Sequence, residues 1–294
     1  TVLHEYQNDA SPIIRAEALL RLGYAVRAQM RTDEACQYLE HAVELYRQHG
    51  EKRYQAIALN ALGFLNINRR KLQAAESLIQ ESLHLLREIQ DHSLLPYALL
   101  RWGDLHRERG MYAEAASIYQ DALEISRKVH LVGGQRAALK RLGELYYFRH
   151  KYRQARRAFK EACALSDYQR AETEPPPIEK AWYALLNRSL DEAESILMQR
   201  LRWMRENRIF SDVYYVLDLL ALVFEKRKLI SYSITIFEFS MAIRRKYNFY
   251  QNIKYIRMKI SKLKQIKQII DIPLQNKSKL NIIEETRYII KDLI

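Results

Sequence analysis

Glycines recur at intervals of forty residues through the first half of the chain, and their neighbours recur with them. Twelve residues after each glycine stands an alanine, and four residues before each stands a leucine. Columns that repeat at a fixed period of this length are the sequence signature of a repeat array, in which each unit packs mainly on its neighbours. The glycines are Gly23, Gly63, Gly103 and Gly143, and the alanines are Ala35, Ala75, Ala115 and Ala155.

Within each repeat, the small and large residues follow the spacing of two helices. In the third repeat, Trp102 and Gly103 fall on the first helix, and Ala115 and Tyr119 fall on the second. A glycine inside a helix costs about 1 kcal/mol relative to alanine. We therefore expect the glycine and alanine columns to mark the place where the two helix backbones approach most closely.

The pattern resembles the tetratricopeptide repeat, with the residues of the third repeat matching it column by column. The forty-residue period resembles the longer-helix variety found in kinesin light chains, spindle-orienting scaffolds and bacterial sensor and regulator domains. The resemblance covers about residues 13–246 and implies an all-α fold, a right-handed α-solenoid of about six helix pairs with a C-terminal capping helix. The matching residues are Leu99, Trp102–Gly103, Ala115, Tyr119 and Ala122.

Two further repeats are degenerate, with Ala181 and Ala221 at the glycine position. Pro175–Pro176–Pro177 interrupts the register before them, because a proline triplet cannot lie inside a helix. It could form an ordinary loop or a bend in the array. The predicted organisation is a lead-in over 1–12, four regular repeats over 13–174, two degenerate repeats over 175–248, and a capping helix with a basic tail over 249–294.

Positive charge is unevenly distributed in a chain of formal charge +13. No acidic residue occurs between Phe239 and Ile270, and a second basic stretch runs from Arg136 to Lys160. Such patches attract acidic protein segments, phosphate backbones or anionic membranes, although solvated helix faces also explain them. Few aromatic residues interleave the first stretch, which favours an acidic protein over nucleic acid. The basic-patch candidates are Arg244, Arg245, Lys254, Arg257, Lys259, Lys262, Lys264 and Lys267.

The sequence contains no recognisable catalytic motif. The Gly133–Gly134 pair lacks the Lys-Ser or Lys-Thr of a phosphate-binding loop, and histidines and cysteines lack metal-ligand spacing. We therefore predict a non-enzymatic protein with no cofactor, no metal and no membrane span. Cys36 and Cys163 fit buried thiols in the cytoplasm. Because the chain begins at Thr1 and not at methionine, we expect it to be processed or to be a piece of a longer protein, and whether that protein has a catalytic or DNA-binding domain stays open.

The resemblance also implies where a partner binds. In that family the inner surface of the superhelix is lined mainly by the first helix of each pair. The same columns in this chain mix aromatic side chains with both charges, which suits an extended peptide or a helix. Only Asn60, Arg107 and Lys140 come near the family's carboxylate-clamp set. The candidate partner-binding residues are Tyr24, Arg27, Asn60, Phe64, Asn68, Asp104, Arg107, Lys140, Glu144, Tyr147 and Trp182.

These observations favour a scaffold or the sensor module of a signalling or regulatory system. It would hold a protein or peptide in the concave groove, and an acidic partner would fit the basic patches. Two alternatives stay open: a nucleic-acid-associated repeat protein that uses those patches, and the repeat portion of a larger signalling enzyme. Phosphate binding weakens steeply with salt, which would separate the first alternative from peptide binding.

Overall fold

The computed structural model describes residues 11–166, 176–247, 253–270 and 277–291, and all regular structure in these ranges is α-helical. This confirms the all-α fold of helix pairs, of the α-solenoid class, while its right-handed sense stays a prediction. The helices are α1 (Pro12–Ala28), α2 (Thr32–Gln48), α3 (Lys52–Asn68), α4 (Leu72–Glu88), α5 (Leu95–Glu108), α6 (Tyr112–Lys128), α7 (Val132–Phe148), α8 (Tyr152–Ser166), α9 (Ile178–Leu186), α10 (Leu190–Glu206), α11 (Val213–Lys226), α12 (Ile230–Lys246), α13 (Ile253–Ile270) and α14 (Lys277–Ile290).

The chain divides into two compact units, Thr1–Ala138 and Leu139–Ile294, and the boundary falls within α7. In the first unit, α1 packs on α2, α3 on α4, and α5 on α6. The first helices of successive pairs also meet, because α3 contacts α5. We call the surface that α1, α3 and α5 form the first-helix face.

The glycine column lies where the first helix of each pair meets the second, as the sequence predicts. A Cβ atom on Gly63 would lie 2.6 Å from Cγ1 of Ile79, and one on Gly23 would lie 2.8 Å from Cγ of Leu39. These distances are too short for a real contact, so the missing side chain is what allows each pair to close. The large residue on the second helix then fills the groove that the glycine leaves.

Helices end in a recurrent two-residue turn. After α3, Arg70 adopts φ 62°, and the next amide, of Lys71, donates to the carbonyl of Asn66 over 2.9 Å. This is the Schellman arrangement, which satisfies carbonyls at a helix end. Glycine is the residue most suited to such a backbone, yet the turns mostly use other residues, so they carry little sequence signal. The positive-φ residues are Met30, Gly50, Arg70, Gln90, Gly110, His130, His150, Arg188, Arg208 and Lys228.

The turn before α5 depends on Asp91. Its carboxylate accepts hydrogen bonds from the backbone amides of Ser93 and Leu94, each over 3.0 Å, and from Arg53 Nε over 2.7 Å. Burial raises the pKa of Asp91, but the hydrogen bonds from Ser93, Arg53 and Leu94 outweigh it and lower that pKa to about 2. The carboxylate therefore stabilises the fold at every pH at which it is ionised.

Asp91→Ala is expected to lower the free energy of unfolding by about 1–2 kcal/mol at pH 7. Because the folded pKa lies below the ordinary aspartate value of 3.8, this stabilisation is fully present above pH 3.8 and is lost as the pH falls through about 2. Urea unfolding of wild type and variant at several pH values checks this, with Asp121→Ala, an exposed position on α6, as the control. If Asp91→Ala lowers the free energy of unfolding equally at pH 7 and at pH 2.5, the proposed role of the ionised carboxylate is wrong.

In the second unit, α9 packs on α8 and α10, and α11 on α12. Pro177 precedes α9, which has nine residues against fourteen in α11, so the fifth pair has a short first helix. The predicted capping helix forms as α13 and packs on α12. Residues 1–10 of the predicted lead-in, 167–174 of the fourth repeat, Pro175 of the triplet, residue 248 of the sixth repeat, and residues 249–252, 271–276 and 292–294 of the predicted C-terminal segment lie outside the described residues. The predicted boundaries stay a prediction.

The last helix, α14, packs on α10 and α12, an arrangement that the repeat pattern does not predict. Ile283 and Ile290 are buried, and Arg202 on α10 forms a two-pronged ion pair with Glu285. The guanidinium of Arg205 lies 3.7 Å from the ring centroid of Tyr288. None of the described helices combines the length and apolar character that a membrane crossing needs.

Candidate functional site

The first-helix face of the first unit presents an aromatic ring between two guanidinium groups. Arg27 on α1 lies 5.7 Å from the ring centroid of Phe64 on α3, and Arg101 on α5 lies 4.3 Å from the same centroid. Arg27 also lies 5.8 Å from the ring centroid of Tyr24. All four side chains are partly exposed, and these distances are those of cation–π contacts. Three successive first helices thus contribute to one accessible surface.

Beneath this surface lies a charged network centred on Asp104, which is 3% exposed. The Tyr119 hydroxyl donates to Asp104 over 2.8 Å, and Arg101 Nη1 donates to it over 3.1 Å. Arg107, also buried, lies 4.0 Å from Asp104 and 3.6 Å from Glu108. Burial raises the pKa of Glu108, and Arg107 and Arg70 oppose that rise. The opposed charges are held together here by the packing of α5 on α3 and α6.

Burial corrects three of the lining residues predicted in the first unit and also Glu144, Tyr147 and Trp182 in the second unit. Asp104, Arg107 and Asn68 were expected on the surface that a partner touches, but all three are buried, and Asn68 is 0% exposed. The column rule assumes that five positions of each first helix face outward, whereas α3 and α5 pack both on each other and on the second helices of their pairs. These residues form the floor of the site. Tyr24, Arg27, Asn60 and Phe64 stay within reach of a ligand.

Among the residues that the structure describes, several buried polar atoms at this site have no hydrogen-bond partner. They are Nε of Arg27, Oδ1 of Asn60 and both amide atoms of Asn68. Buried polar atoms in folded proteins are nearly always paired, so unused capacity concentrated on one face is informative. Asn68 is enclosed, but the Arg27 and Asn60 side chains also reach the surface. Those two residues can hydrogen-bond with a bound chain.

Arg101 is a contributor that the sequence analysis missed. It stands two residues before the column glycine, outside the positions that the resemblance assigns to the inner surface. Its long side chain places the guanidinium over the Phe64 ring, and the same guanidinium donates a hydrogen bond to Asp104. The signal available in the sequence was the spacing of three between Arg101 and Asp104, which places opposite charges side by side on a helix.

In the second unit, the predicted residues Lys140, Glu144 and Trp182 are bound to their own chain. The indole Nε1 of Trp182 donates to the hydroxyl of Tyr215 over 2.6 Å, and that hydroxyl donates to Glu144. Lys140 lies 4.0 Å from Glu144 and 5.0 Å from the Tyr215 ring centroid. Burial raises the pKa of Tyr215, and the Glu144 carboxylate adds to that rise. This hydrogen-bonded chain of side chains links α7, α9 and α11.

An aromatic cluster fills the space beside this hydrogen-bonded chain. Trp182 stacks on Phe159 with centroids 5.2 Å apart, and its centroid lies 4.7 Å from that of Tyr147. Tyr255, which comes from α13, lies 4.7 Å from Phe148. Burial raises the pKa of both Tyr147 and Tyr255. Trp182 is 1% exposed and Tyr147 6% exposed, so both belong to the core and are not available to a partner.

The predicted basic patch is smaller than its sequence indicates. The prediction was wrong for Arg244, which is 1% exposed and bonds Asp218 through Nη1 at 3.1 Å and Nη2 at 2.6 Å. Lys259 bonds both carboxylate oxygens of Glu225, at 2.7 and 2.8 Å, and Lys264 pairs with Glu238. The side chain of Lys254 lies outside the described residues. Four members of the patch are exposed on α12 and α13 and form no ion pair with another described residue. They are Arg245, Arg257, Lys262 and Lys267.

A search of the described residues finds no group of three or more His, Cys, Asp or Glu side chains that could hold a metal ion. A groove of about 670 Å³ opens elsewhere in the first unit, beside Trp102 on α5 and His84 and Arg87 on α4. It is separate from the first-helix face, because its other lining residues, Gln80, Leu83 and Glu88, also belong to α4.

Comparison with known proteins places these observations in a family context. Residues 95–167 and residues 17–49 each match a tetratricopeptide-repeat family model. No curated protein matches the sequence significantly. The matched ranges include α1, α2, α5, α6, α7 and α8 in whole or in large part.

Solved structures share the fold at low sequence identity. A Rap protein complexed with Competence and Sporulation Factor is 13% identical, with 90% of this chain and 78% of that chain covered and a TM-score of 0.60. The apo form of RapI is 17% identical, with 88% and 89% covered and a TM-score of 0.62. Aspartyl phosphate phosphatase F from Bacillus subtilis is 14% identical, with 93% and 65% covered and a TM-score of 0.62. At these identities the likeness shows the fold alone.

Proposed function

Because the chain belongs to the tetratricopeptide-repeat superfamily, we propose that it is a protein-binding module that holds a polypeptide on the first-helix face of its first unit. The observation that carries the proposal is the Phe64 ring, partly exposed between Arg27 and Arg101. Aromatic and arginine side chains dominate binding energy at protein interfaces. Here they come from the first helices of three successive pairs, which suits a ligand that extends across several repeats.

The site is also prepared for binding before a ligand arrives. The two guanidinium groups hold the Phe64 ring, and the buried Asp104 holds Arg101 through a 3.1 Å bond. Side chains that are already fixed lose less conformational entropy on binding, so more of the contact energy appears as affinity. The Asn60 side chain, part of which reaches the surface, can form a hydrogen bond with the main chain of the bound polypeptide.

The proposal extends to a regulatory role, as a scaffold or as the sensor module of a signalling system. Its support is the likeness of fold to a Rap protein whose structure was determined with Competence and Sporulation Factor. We assign no catalytic role to the chain itself. A module of this kind acts by changing what its partner can contact, and it can stand alone or serve a larger signalling enzyme.

Binding to the first-helix face is tested by selecting twelve-residue peptides from a displayed library on the wild-type chain. The affinity of the best peptide is then measured by calorimetry for wild type and for Phe64→Ala. Phe64→Ala is expected to weaken binding at least tenfold, because the ring is the centre of the accessible surface. Tyr112→Ala is the matched control, since Tyr112 is an exposed aromatic residue on α6, and it is expected to change affinity less than twofold.

Because Phe64 also packs against the core of the first unit, circular dichroism must show that the variant is folded at the assay temperature. Phe64→Leu keeps most of the apolar volume while removing the ring, and it serves as a second variant. If folded Phe64→Ala and Phe64→Leu both bind like wild type, the proposal is wrong. Binding of a single-stranded oligonucleotide in place of peptides, lost steeply with added salt, would favour the nucleic-acid alternative.

A further inference from the structure

The site proposed above carries more positive than negative charge. Four arginines belong to it, and two carboxylates lie among them. The excess matters because both carboxylate side chains are buried in the floor, while two of the guanidinium groups reach the surface beside Phe64. The arginines are Arg27, Arg70, Arg101 and Arg107, and the carboxylates are Asp104 and Glu108.

Arg27 differs from the other three arginines. Arg70 lies 3.4 Å from Glu108, Arg101 lies 3.1 Å from Asp104, and Arg107 lies 3.6 Å from Glu108. In the ranges that the structure covers, no carboxylate lies within 4.0 Å of Arg27. Its Nε is buried without an acceptor.

The two rings beside Arg27 fix its position but leave its charge unbalanced. Tyr24 and Phe64 lie 5.8 and 5.7 Å from its guanidinium carbon, so the group is partly removed from water. A partly desolvated cation without a counter-ion is unfavourable, and an anion that binds there is correspondingly favoured. Guanidinium presents two parallel N–H groups, which match the two oxygens of a carboxylate.

We propose that Arg27 binds the carboxylate of an acidic side chain in the bound polypeptide, so that the site selects ligands with Asp or Glu at one fixed position. This inference rests on the proposed function and adds the chemistry of the partner. Asn60 and Phe64 on α3 engage the neighbouring main chain and an adjacent side chain. Arg27 sets which peptides bind, whereas Phe64 supplies affinity for all of them.

The inference is tested with the same displayed library, selected in parallel on wild type, Arg27→Glu and Arg27→Lys. Peptides selected on wild type are expected to carry Asp or Glu at one position, and Arg27→Glu is expected to select Lys or Arg there. The best acidic peptide is expected to bind Arg27→Glu at least tenfold more weakly than wild type. Arg27→Lys keeps the acidic preference but binds more weakly, because an ammonium cannot form the paired bonds.

Arg87→Glu is the matched control, because Arg87 is exposed on α4 and the change in charge is the same. It is expected to leave both the selected sequences and the affinity unchanged. If Arg27→Glu does not fold by circular dichroism, Arg27→Gln removes the charge and is expected to lose the acidic preference. An equal loss of affinity in Arg87→Glu would show a general charge effect and would overturn the inference.

Failure of this inference is distinguishable from failure of the proposed function. If wild-type peptides depend on Phe64 but show no acidic position, the protein binds peptides on the first-helix face and the role of Arg27 is wrong. If the selected peptides are acidic but bind Phe64→Ala and Arg27→Glu normally, both are wrong, and the exposed basic residues of α13 become the better explanation. A wild-type chain that enriches no peptide contradicts the proposed function and the inference with it.

Discussion

Replacing Gly103 with leucine is expected to lower the free energy of unfolding by about 3 kcal/mol or more, at the upper end of what overpacking costs. A Cβ atom at this position would lie 2.7 Å from Cδ1 and 3.1 Å from Cζ of Tyr119. The Tyr119 ring is 0% exposed and its hydroxyl bonds Asp104, so it cannot swing aside without breaking a buried hydrogen bond. Equilibrium unfolding in urea measures the loss.

Ala113→Leu is the control for Gly103→Leu, since Ala113 is exposed on α6 and the added side chain meets solvent. We expect it to change stability by less than about 0.5 kcal/mol, as surface substitutions usually do. A double-mutant cycle between Gly103→Ala and Tyr119→Ala should be strongly non-additive, because removing the ring makes room for the new methyl group. An unfolding midpoint of Gly103→Leu equal to wild type would show that this helix crossing is not the closest contact of the pair.

Arg244→Ala is expected to cost about 3–5 kcal/mol, the loss that follows when one partner of a buried ion pair is removed. Arg244 is 1% exposed, it bonds both oxygens of Asp218, and its guanidinium lies 4.5 Å from the ring centroid of Tyr214. The variant leaves the Asp218 carboxylate without its ion-pair partner, although the hydroxyl of Ser240 still donates to it over 2.6 Å. Unfolding in urea at pH 7 measures the loss. Arg245→Ala is the control, because Arg245 is the neighbouring arginine and is exposed.

The pH dependence of the stability loss in Arg244→Ala shows whether the loss comes from the broken ion pair. Burial raises the pKa of Asp218, and Arg244 opposes that rise, so removing Arg244 raises the pKa further. A carboxyl whose folded pKa exceeds its unfolded value costs stability above the unfolded pKa, and the cost disappears below it. The loss is therefore expected to shrink as the pH falls toward 4. The double variant Arg244→Met, Asp218→Leu should recover most of the stability, and a loss independent of pH would contradict the ion-pair account.

The sequence predicted the helix pairs because the forty-residue columns report the closest helix contacts directly. Gly63 and the large residue that it faces, Ile79, have counterparts in every regular repeat for the same physical reason, so one repeat explains the next. The turns between helices were less visible. They rest on a backbone conformation that residues as different as Arg70 and Gln90 adopt, and no single residue type marks it.

The site could be predicted only where the repeats stay regular. The columns brought Tyr24, Arg27 and Phe64 to one face, but they could not show that Arg101 reaches the same ring from a different column. In the second unit, the column rule did not show that Trp182 and Tyr147 pack into an aromatic cluster, or that Tyr255 contacts Phe148 of that cluster from a helix outside the repeats. No periodic pattern contains that contact.

The basic patch is smaller than the sequence predicted for a related reason. A run of basic residues shows how much positive charge a segment has, but the carboxylates that neutralise it lie on other helices. Lys259 bonds Glu225, thirty-four positions earlier, and Arg244 bonds Asp218, twenty-six positions earlier. Both acids belong to α11, whose apolar sequence gives no sign of an ion-pairing role.

Hydrogen–deuterium exchange with and without the best selected peptide tests the central claim most directly, because it locates the bound surface without any substitution. The account predicts slower amide exchange in α1, α3 and α5 on binding, since a ligand on the first-helix face suppresses their local opening. It predicts little change in α2, α4 and α6. Protection confined to α4 and α6, or to α13, would place the ligand elsewhere and contradict the account.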